Sequence, residues 1–473
     1  MSLHLGNRKL LSKAMKISIL SVLLSLFFII FYSYANAASP DKWQEKDVSF
    51  TSNNTKMQGT VLMPNGKGKH PGIVLVHGSG QKDREKLRQD AQMFVKAGFA
   101  TFIYDKREKS KSRTMPVLAN DALAAVHTLQ AQSGVDPRKV GIWGFSEGAW
   151  VAPIAASQSK DIAFVVLLGT PVVTPIQQQT YHIQNRLFQN RITSKNVTDA
   201  ITVKGSRFVY QSNLLPEADH DAVSYLQKVK QPVLAVWGAK DRLTPAAEGA
   251  NRLQQIWKSN GNKKGSILFV ANAEHAAHQT DQTGFERFPA FAAGYETEVL
   301  NWLDEVVKGN PPNSQVIGQV PSQDVHVYQN LIKDVQWYDS LGVVLGIIGT
   351  LLVCYVAAMI SSIRNRKMDS ALKRYAGWTI ASGLLATIGF ASYFVMIWSN
   401  GGKVLGPVLY ERPIIWLIIQ GFSLLTTFLT FVLAFRGFHG SLQKLDYVRI
   451  VLLLVAGTLF TVWAVYWGLL LPS

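Results

Sequence analysis

One cysteine stands in 473 residues, Cys354, and it lies inside an apolar run. An intrachain disulfide is therefore impossible, and a C-x-x-C metal or redox site is excluded. A thiol in that setting reads as a small buried apolar side chain. Acids are scarce: 31 Asp and Glu face 48 Lys and Arg, giving a formal net charge of +17. An excess of this size suits nucleic acid or a membrane surface. No basic stripe interleaved with aromatics occurs and no nucleic-acid motif is present, so nucleic acid is set aside. Several cations flank apolar segments instead, where they would orient the chain and attract anionic headgroups. Metal-ligand spacings are missing, and no G-x-G-x-x-G follows a first strand pattern, so neither metal nor cofactor is expected.

The residue types that are present are segregated along the chain. Arg8, Lys9, Lys13 and Lys16 precede an apolar run from Ile17 to about Tyr34, which ends in Ala35-Asn36-Ala37. That is the grammar of a secretory signal over residues 1–37. The run is also long enough for an uncleaved anchor helix. Either reading exports the domain that begins near Asp41.

From Asp41 to about Lys308, short apolar runs recur at 60–63, 73–76, 101–104, 140–143, 164–168, 233–237 and 267–270. Helical periodicity lies between them, at 84–97, 117–131, 147–157 and 295–307. Alternating strands and helices predict an α/β domain with an open, mostly parallel sheet and helices on both faces. The stretch from about 174 to 230 breaks this rhythm. It is polar, glutamine-rich and helical in pattern, as a cap over a pocket would be, or a surface elaboration.

Residues 309–336, with Pro311-Pro312 and Pro321, read as a linker. Four apolar segments come next within 337–473, near 341–363, 376–398, 413–435 and 448–471. Each can cross a hydrocarbon layer of roughly 30 Å, and none contains an acidic residue to mark an ion path. Trp337, Tyr338, Trp398, Tyr410 and Trp467 fall near their ends, as interfacial aromatics do. The first connecting loop carries Arg364, Arg366, Lys367, Lys373 and Arg374 against Asp369, and the third carries Arg436 and Lys444, with Arg449 just beyond. The second has only Lys403 and Arg412, set against Glu411. The positive-inside rule puts the first and third loops in the cytoplasm and the α/β domain outside, the side the export segment also predicts.

The chemistry centres on Gly144-Phe145-Ser146-Glu147-Gly148. A G-x-S-x-G pentapeptide between a strand and a helix makes a nucleophile elbow, with its serine on a strained bend. At average glycine usage of about 7%, a chain this long carries the pentapeptide by chance roughly one time in ten, so its surroundings must decide. Asp241 follows the 233–237 run and is placed to orient a base, although an aspartate there can equally serve its own turn. His275 and His278 follow the 267–270 run; the small residues around His275 favour it as the base. His77 precedes the serine and reads as structural. Glu274 adjoins the base too closely to orient it, and Asp83 reads as a helix cap. His77-Gly78-Ser79-Gly80 ends the 73–76 run, and the Ser79 and Glu147 amides are candidates for an oxyanion hole.

These residues resemble the α/β-hydrolase family, specifically the bacterial branch of esterases and acyl or peptidyl hydrolases. The likeness rests on His77-Gly78-Ser79-Gly80-Gln81-Lys82-Asp83-Arg84, Tyr104-Asp105-Lys106-Arg107, Gly144-Phe145-Ser146-Glu147-Gly148 and Val151-Ala152-Pro153. It spans about 48–307 and leaves the four-segment tail outside. Relatives usually follow the Asp-Lys-Arg stretch with glycine; this chain has Glu108-Lys109-Ser110-Lys111. The resemblance implies serine-dependent cleavage of an ester, thioester or amide. The expectation is a membrane-anchored, extracytoplasmic hydrolase taking a small-molecule or lipid acyl substrate through Ser146, His275 and Asp241. A peptidase or an acyltransferase on the same triad, and a ligand-binding membrane sensor, are the rivals.

Overall fold

The structure is a computed structural model. It describes residues 43–80, 82–108, 113–323, 328–329, 331–332, 335–364, 370–439 and 444–470. The export segment, Gln81, Lys109 to Lys111, and Arg366, Lys367 and Asp369 of the first basic loop lie outside the described residues.

In chain order, β1 (Trp43–Ser52) and β2 (Thr55–Pro64) form a hairpin, followed by β3 (His70–Val76), α1 (Arg88–Lys96), β4 (Ala100–Tyr104) and α2 (Met115–Gln130). Next come β5 (Val135–Phe145), α3 (Glu147–Gln158) and β6 (Val165–Leu168). Four short helices then run from α4 (Pro175–Gln189) through α5 (Lys195–Asp199) and α6 (Gly205–Gln211) to α7 (Ala222–Leu226). The domain closes with β7 (Val233–Gly238), α8 (Ala246–Asn260), β8 (Gly265–Val270), the ribbon β9 (His278–Thr280) and β10 (Arg287–Phe291), and α9 (Tyr295–Val307).

A further strand, β11 (Gln315–Ile317), lies within the stretch that reads as a linker from sequence, and it adds a parallel edge to β8. Nine strands share one sheet in the order β1-β2-β4-β3-β5-β6-β7-β8-β11. From β4 onward every pairing is parallel. The periodicity that marks α9 at 295–307 agrees with the helix residue for residue. The run at 60–63 falls inside β2, whereas β1 and α8 carry weaker patterns and are absent from the sequence reading.

Period-two alternation puts one apolar side chain on each face of a strand in turn. Along β3, Val74 and Val76 enter one core while Ile73 and Leu75 enter the other. Both faces are therefore dry. The parallel strands read as continuous apolar runs for this reason.

The tail forms α10 (Leu341–Arg364), α11 (Ser370–Asn400), α12 (Ile414–His439) and α13 (Lys444–Tyr466), all long and apolar enough to cross a membrane. Helix α11 begins ahead of the apolar segment read from sequence, so Lys373 and Arg374 belong to its first turns. The fourth helix also begins ahead of the apolar segment read from sequence, so Asp446 joins its first turn, and both Asp446 and Arg449 are buried there. Large apolar side chains such as Val353, Leu385, Phe428, Phe431 and Val462 point outward. That surface suits hydrocarbon.

The 175–211 helices and the four-helix tail share one apolar cluster: Ile176, Ile183, Leu187 and Val197 pack with Phe394, Trp467 and Leu469. A π-helical turn at Ala200–Lys204 joins α5 to α6, and wide turns of this kind release carbonyls from the helix ladder. The Ile201 carbonyl accepts from Trp398 Nε1 at 3.2 Å. Ser194 Oγ accepts from Arg412 Nε at 3.0 Å, Lys204 Nζ donates to the Tyr466 carbonyl, and Arg207 pairs with Asp339 at 3.4 Å.

Candidate active site

Ser146 sits between β5 and α3 with φ +54° and ψ −111°, backbone values that a non-glycine residue adopts only under constraint. Its neighbours make the bend possible. A Cβ on Gly144 would lie 2.2 Å from the Gly148 carbonyl oxygen, and one on Gly148 would lie 2.3 Å from the Val76 carbonyl oxygen. The second contact also brings the end of β3, with its His77-Gly78-Ser79 turn, against the elbow. Ser146 N donates to the Leu168 carbonyl at 2.9 Å, locking the elbow to the end of β6.

His275 and Asp241 come together from the loops after β8 and β7. His275 Nδ1 lies 2.8 Å from Asp241 Oδ2, and both side chains are buried. The Asp241 carboxylate also accepts from Leu243 N at 2.7 Å, Thr244 N at 2.9 Å and Thr244 Oγ1 at 2.6 Å. Burial alone would raise its pKa. The His275 charge, the His275 hydrogen bond and the Thr244 bonds outweigh burial and hold it below the ordinary carboxylate range.

His275 Nε2 is buried without a hydrogen-bond partner among the described residues. The imidazole lies 5.2 Å, centroid to centroid, from the ring of Phe145, the residue before Ser146. A Cβ on Gly169, next to the Leu168 that holds Ser146 N, would lie 2.7 Å from His275 Cε1. Serine and imidazole thus flank one strand end. His278, the other histidine after the 267–270 run, is buried in β9, with Nδ1 3.0 Å from the Phe288 carbonyl oxygen.

A family model described as "BAAT / Acyl-CoA thioester hydrolase C terminal" matches residues 123–279, from the helix before the elbow through His275. Esterase EstD of Thermotoga maritima is 25% identical over 271 residues, which cover 52% of this chain and 62% of that protein. The quorum-quenching protein AidA of Acinetobacter baumannii is 30% identical over 127 residues, 25% of this chain and 42% of that one. The chain therefore spans less than two thirds of the length of either relative. Among solved structures, a 2,6-dihydroxy-pseudo-oxynicotine hydrolase aligns at 15% identity and a TM-score of 0.42, over 58% of this chain and 71% of that chain.

The domain has the α/β-hydrolase fold. Within this fold the Tyr104-Asp105-Lys106-Arg107 stretch acts as a strut, a role that sequence reasoning missed although the motif was visible. His77 Nε2 lies 2.6 Å from the Tyr104 carbonyl oxygen, and burial chiefly lowers the pKa of that imidazole to about 4, so it stays neutral. Asp105 pairs with Arg84 at 2.8 Å, and Arg107 forks onto the buried Asp121 at 2.7 and 2.5 Å. Buried Lys106 donates to the Gly78 carbonyl at 2.9 Å and to Glu147 Oε1 at 2.8 Å. It thereby ties the two segments whose amides are candidate oxyanion donors. In a trans peptide the C=O and N–H point to opposite sides, so holding the Gly78 carbonyl also fixes the direction of the Ser79 N–H.

Lys106→Met would release both segments and leave Glu147 only the longer Arg113 contact at 3.9 Å. The expected result is a drop in kcat of about 10²-fold with a smaller change in KM, the range for losing one oxyanion donor. Steady-state kinetics on a chromogenic ester reads it, and an unchanged kcat would remove Lys106 from this role.

Two further contacts have no sequence signature. Gln323, from the stretch after β11, donates to the Asp241 carbonyl at 3.1 Å and accepts from Ala247 N at 3.0 Å. On α4, Gln178 and Asn185 donate to the carbonyls of Leu243 and Arg242, at 2.7 and 3.1 Å. The segment that the sequence suggests as a cap is bonded directly to the loop carrying Asp241.

Behind the elbow, a cleft of ≈330 Å³ is lined by Asp90, Trp143, Phe145, Ala276, His278 and Arg287, among others. Burial raises the Asp90 pKa to about 7, only partly offset by a hydrogen bond to its own backbone N–H and the Arg287 charge. A carboxyl whose folded pKa exceeds its unfolded one favours the fold while protonated, and that contribution is lost as pH rises from about 4 through 7. Asp90→Asn should therefore unfold later than wild type at pH 8, by roughly 2–6 °C for a domain of this size, and no later at pH 4. Thermal unfolding followed by intrinsic fluorescence at the two pH values decides it.

Proposed function

We propose that this chain is a membrane-anchored serine hydrolase that cleaves a carboxylic ester through an acyl-enzyme, with its hydrolase domain on the extracytoplasmic side. The observation that carries the reading is the buried His275–Asp241 pair, whose free Nε2 lies at the strand end that also holds Ser146. Asp241 binds Nδ1–H and so keeps the tautomer in which Nε2 has a lone pair. His275 Nε2 takes the proton of Ser146 as Oγ bonds to the ester carbonyl carbon. The amides of Ser79 and Glu147 stabilise the resulting oxyanion. Collapse breaks the ester C–O bond, and His275 returns the proton to the leaving alkoxide. Water, deprotonated by the same imidazole, then releases the acid and regenerates Ser146.

A thioester is the second reading, favoured by the acyl-CoA thioester hydrolase model that matches 123–279. It uses the same steps with a thiolate leaving group, and paired oxygen and sulfur esters of one acyl chain separate the two. The sidedness rests on the charge asymmetry of the loops; protease protection of the hydrolase domain in intact spheroplasts would count against it. The enzymatic reading is tested by treating the folded full chain with a fluorophosphonate and mapping the adduct. Attachment at Ser146 is expected, and an unlabelled folded protein would favour the sensor.

A further inference from the structure

Helix α4 has one face turned toward the loop that carries Asp241. His182 on that face feels the charges of both His275 and Asp241, and its Nε2 is buried without a hydrogen-bond partner among the described residues. One turn further along, the Arg186 guanidinium lies 3.7 Å from the centroid of the Phe285 ring. Its Nε is likewise buried and unpartnered among the described residues, and a terminal guanidinium nitrogen donates to the uncharged Gln189 Oε1 at 3.2 Å.

Between this helix and the loop at 283–285 runs a cleft of ≈290 Å³, lined by Asn185, Phe188, Gln189, Arg242, Thr283 and Phe285. Arg242 spends its Nε on the Thr283 carbonyl at 3.3 Å, leaving the two terminal nitrogens of its fork. Neither Arg186 nor Arg242 has a carboxylate at ion-pair distance among the described residues. The nearby Asp281 carboxylate is turned into its own loop, where it accepts from Thr283 N, Thr283 Oγ1 and Gly284 N. Arg242 lines the cleft, and Arg186 stacks on the Phe285 ring that forms one of its walls; the desolvated Arg186 Nε costs the fold energy unless an anion completes it.

The surroundings say where such an anion comes from. Gly401 and Gly402, in the connection between α11 and α12, lie against His182 and Arg186: added Cβ atoms would meet His182 Cε1 at 3.4 Å and Arg186 Cβ at 3.1 Å. Lys403 follows at once and is exposed. Trp398, at the end of α11, bonds to the Ile201 carbonyl, and Trp467 packs in the same cluster as Ile183 and Leu187. Helix-end tryptophans mark the headgroup level of a bilayer, and the connection at 401–402 next to Trp398 brings that level against His182 and Arg186 of α4.

Resting on the ester-hydrolase reading, we propose that the Arg186–Arg242 cleft is a headgroup subsite and that the substrate is a phosphate-bearing acyl lipid. The guanidinium forks hold the phosphate, and the acyl ester extends toward Ser146 past His182.

The test is binding, so that it reads out even if Ser146 proves not to be the nucleophile. Full-length protein with Ser146→Ala, in phosphatidylcholine nanodiscs, is titrated with a fluorescent monoacylglycerol phosphate and with the matching neutral monoacylglycerol. The phosphate ligand should bind about tenfold tighter or better, the range for charge-assisted bidentate contacts. Adding Arg186→Gln and Arg242→Gln should bring the two affinities together, whereas Arg186→Lys with Arg242→Lys should keep part of the preference. If the glutamine pair does not fold, Arg242→Gln alone should still reduce the preference. Equal affinities in the parent, or a preference that survives the glutamine substitutions, would overturn the proposal. Displacement by glycerol 3-phosphate at the lipid's own concentration would overturn the lipid assignment and leave a soluble phosphate as the ligand. Absence of fluorophosphonate labelling of the folded wild-type chain, with the binding preference of the Ser146→Ala protein intact, would instead overturn the hydrolase reading alone.

Discussion

Ser146→Ala is expected to abolish fluorophosphonate labelling and to lower kcat on any accepted ester by at least about 10⁴-fold, leaving only what binding and the oxyanion donors supply. KM should move little, because the hydroxyl contributes to the transition state and not to holding the ground-state ester. The substitution is also informative about strain. Residue 146 keeps φ near +54° whichever of the two side chains it carries, since the bend is imposed by the contacts at Gly144 and Gly148. The variant should therefore fold, and its melting temperature should stay close to wild type. A variant that retains measurable turnover under enzyme-limited conditions would mean that another nucleophile acts, and the elbow would become a structural turn.

The legible part of this chain is the part where local rules and the global fold agree. The parallel strands could be read because each is apolar on both faces, and α9 because a single amphipathic stripe packs it under the sheet. The elbow could be read because only glycine fits at 144 and 148, two residues to either side of Ser146. The hairpin of β1 and β2 escaped notice since β1 is largely exposed and polar, WQEKDVSFTS, with little apolar alternation to detect. Strand β11 is three residues long, and its parallel partner β8 is some fifty residues away, so only tertiary pairing defines it.

The site divides in the same way. Candidates for Ser146, Asp241 and His275 follow from chain order, since each comes after its own strand. Lys106 and Gln323 act through carbonyls in distant segments, and a backbone carbonyl has no letter in the sequence. The docking of α4 to α6 on the four-helix tail is invisible for a further reason. It depends on one apolar cluster drawn from two regions that each look self-sufficient when read alone.

Asp241→Asn should lower kcat by roughly 10³- to 10⁴-fold while leaving the backbone of the loop in place. Its oxygens serve four donors: His275 Nδ1, Leu243 N, Thr244 N and Thr244 Oγ1. An amide offers only one acceptor oxygen, and with that oxygen kept by the Leu243 and Thr244 amides its NH₂ takes the Oδ2 position and faces both the Thr244 hydroxyl and His275 Nδ1. A hydroxyl can rotate to accept; the imidazole can accept at Nδ1 only by moving its proton to Nε2, the wrong tautomer for a base. The loss should be largest near neutral pH and shrink as pH rises, where hydroxide can replace the missing base, whereas a merely structural lesion would depress activity equally at every pH. The pH profile of kcat for the variant against wild type therefore separates the two accounts. A flat ratio from pH 6 to 10 would show that Asp241 serves its own turn and that the imidazole is held by something else.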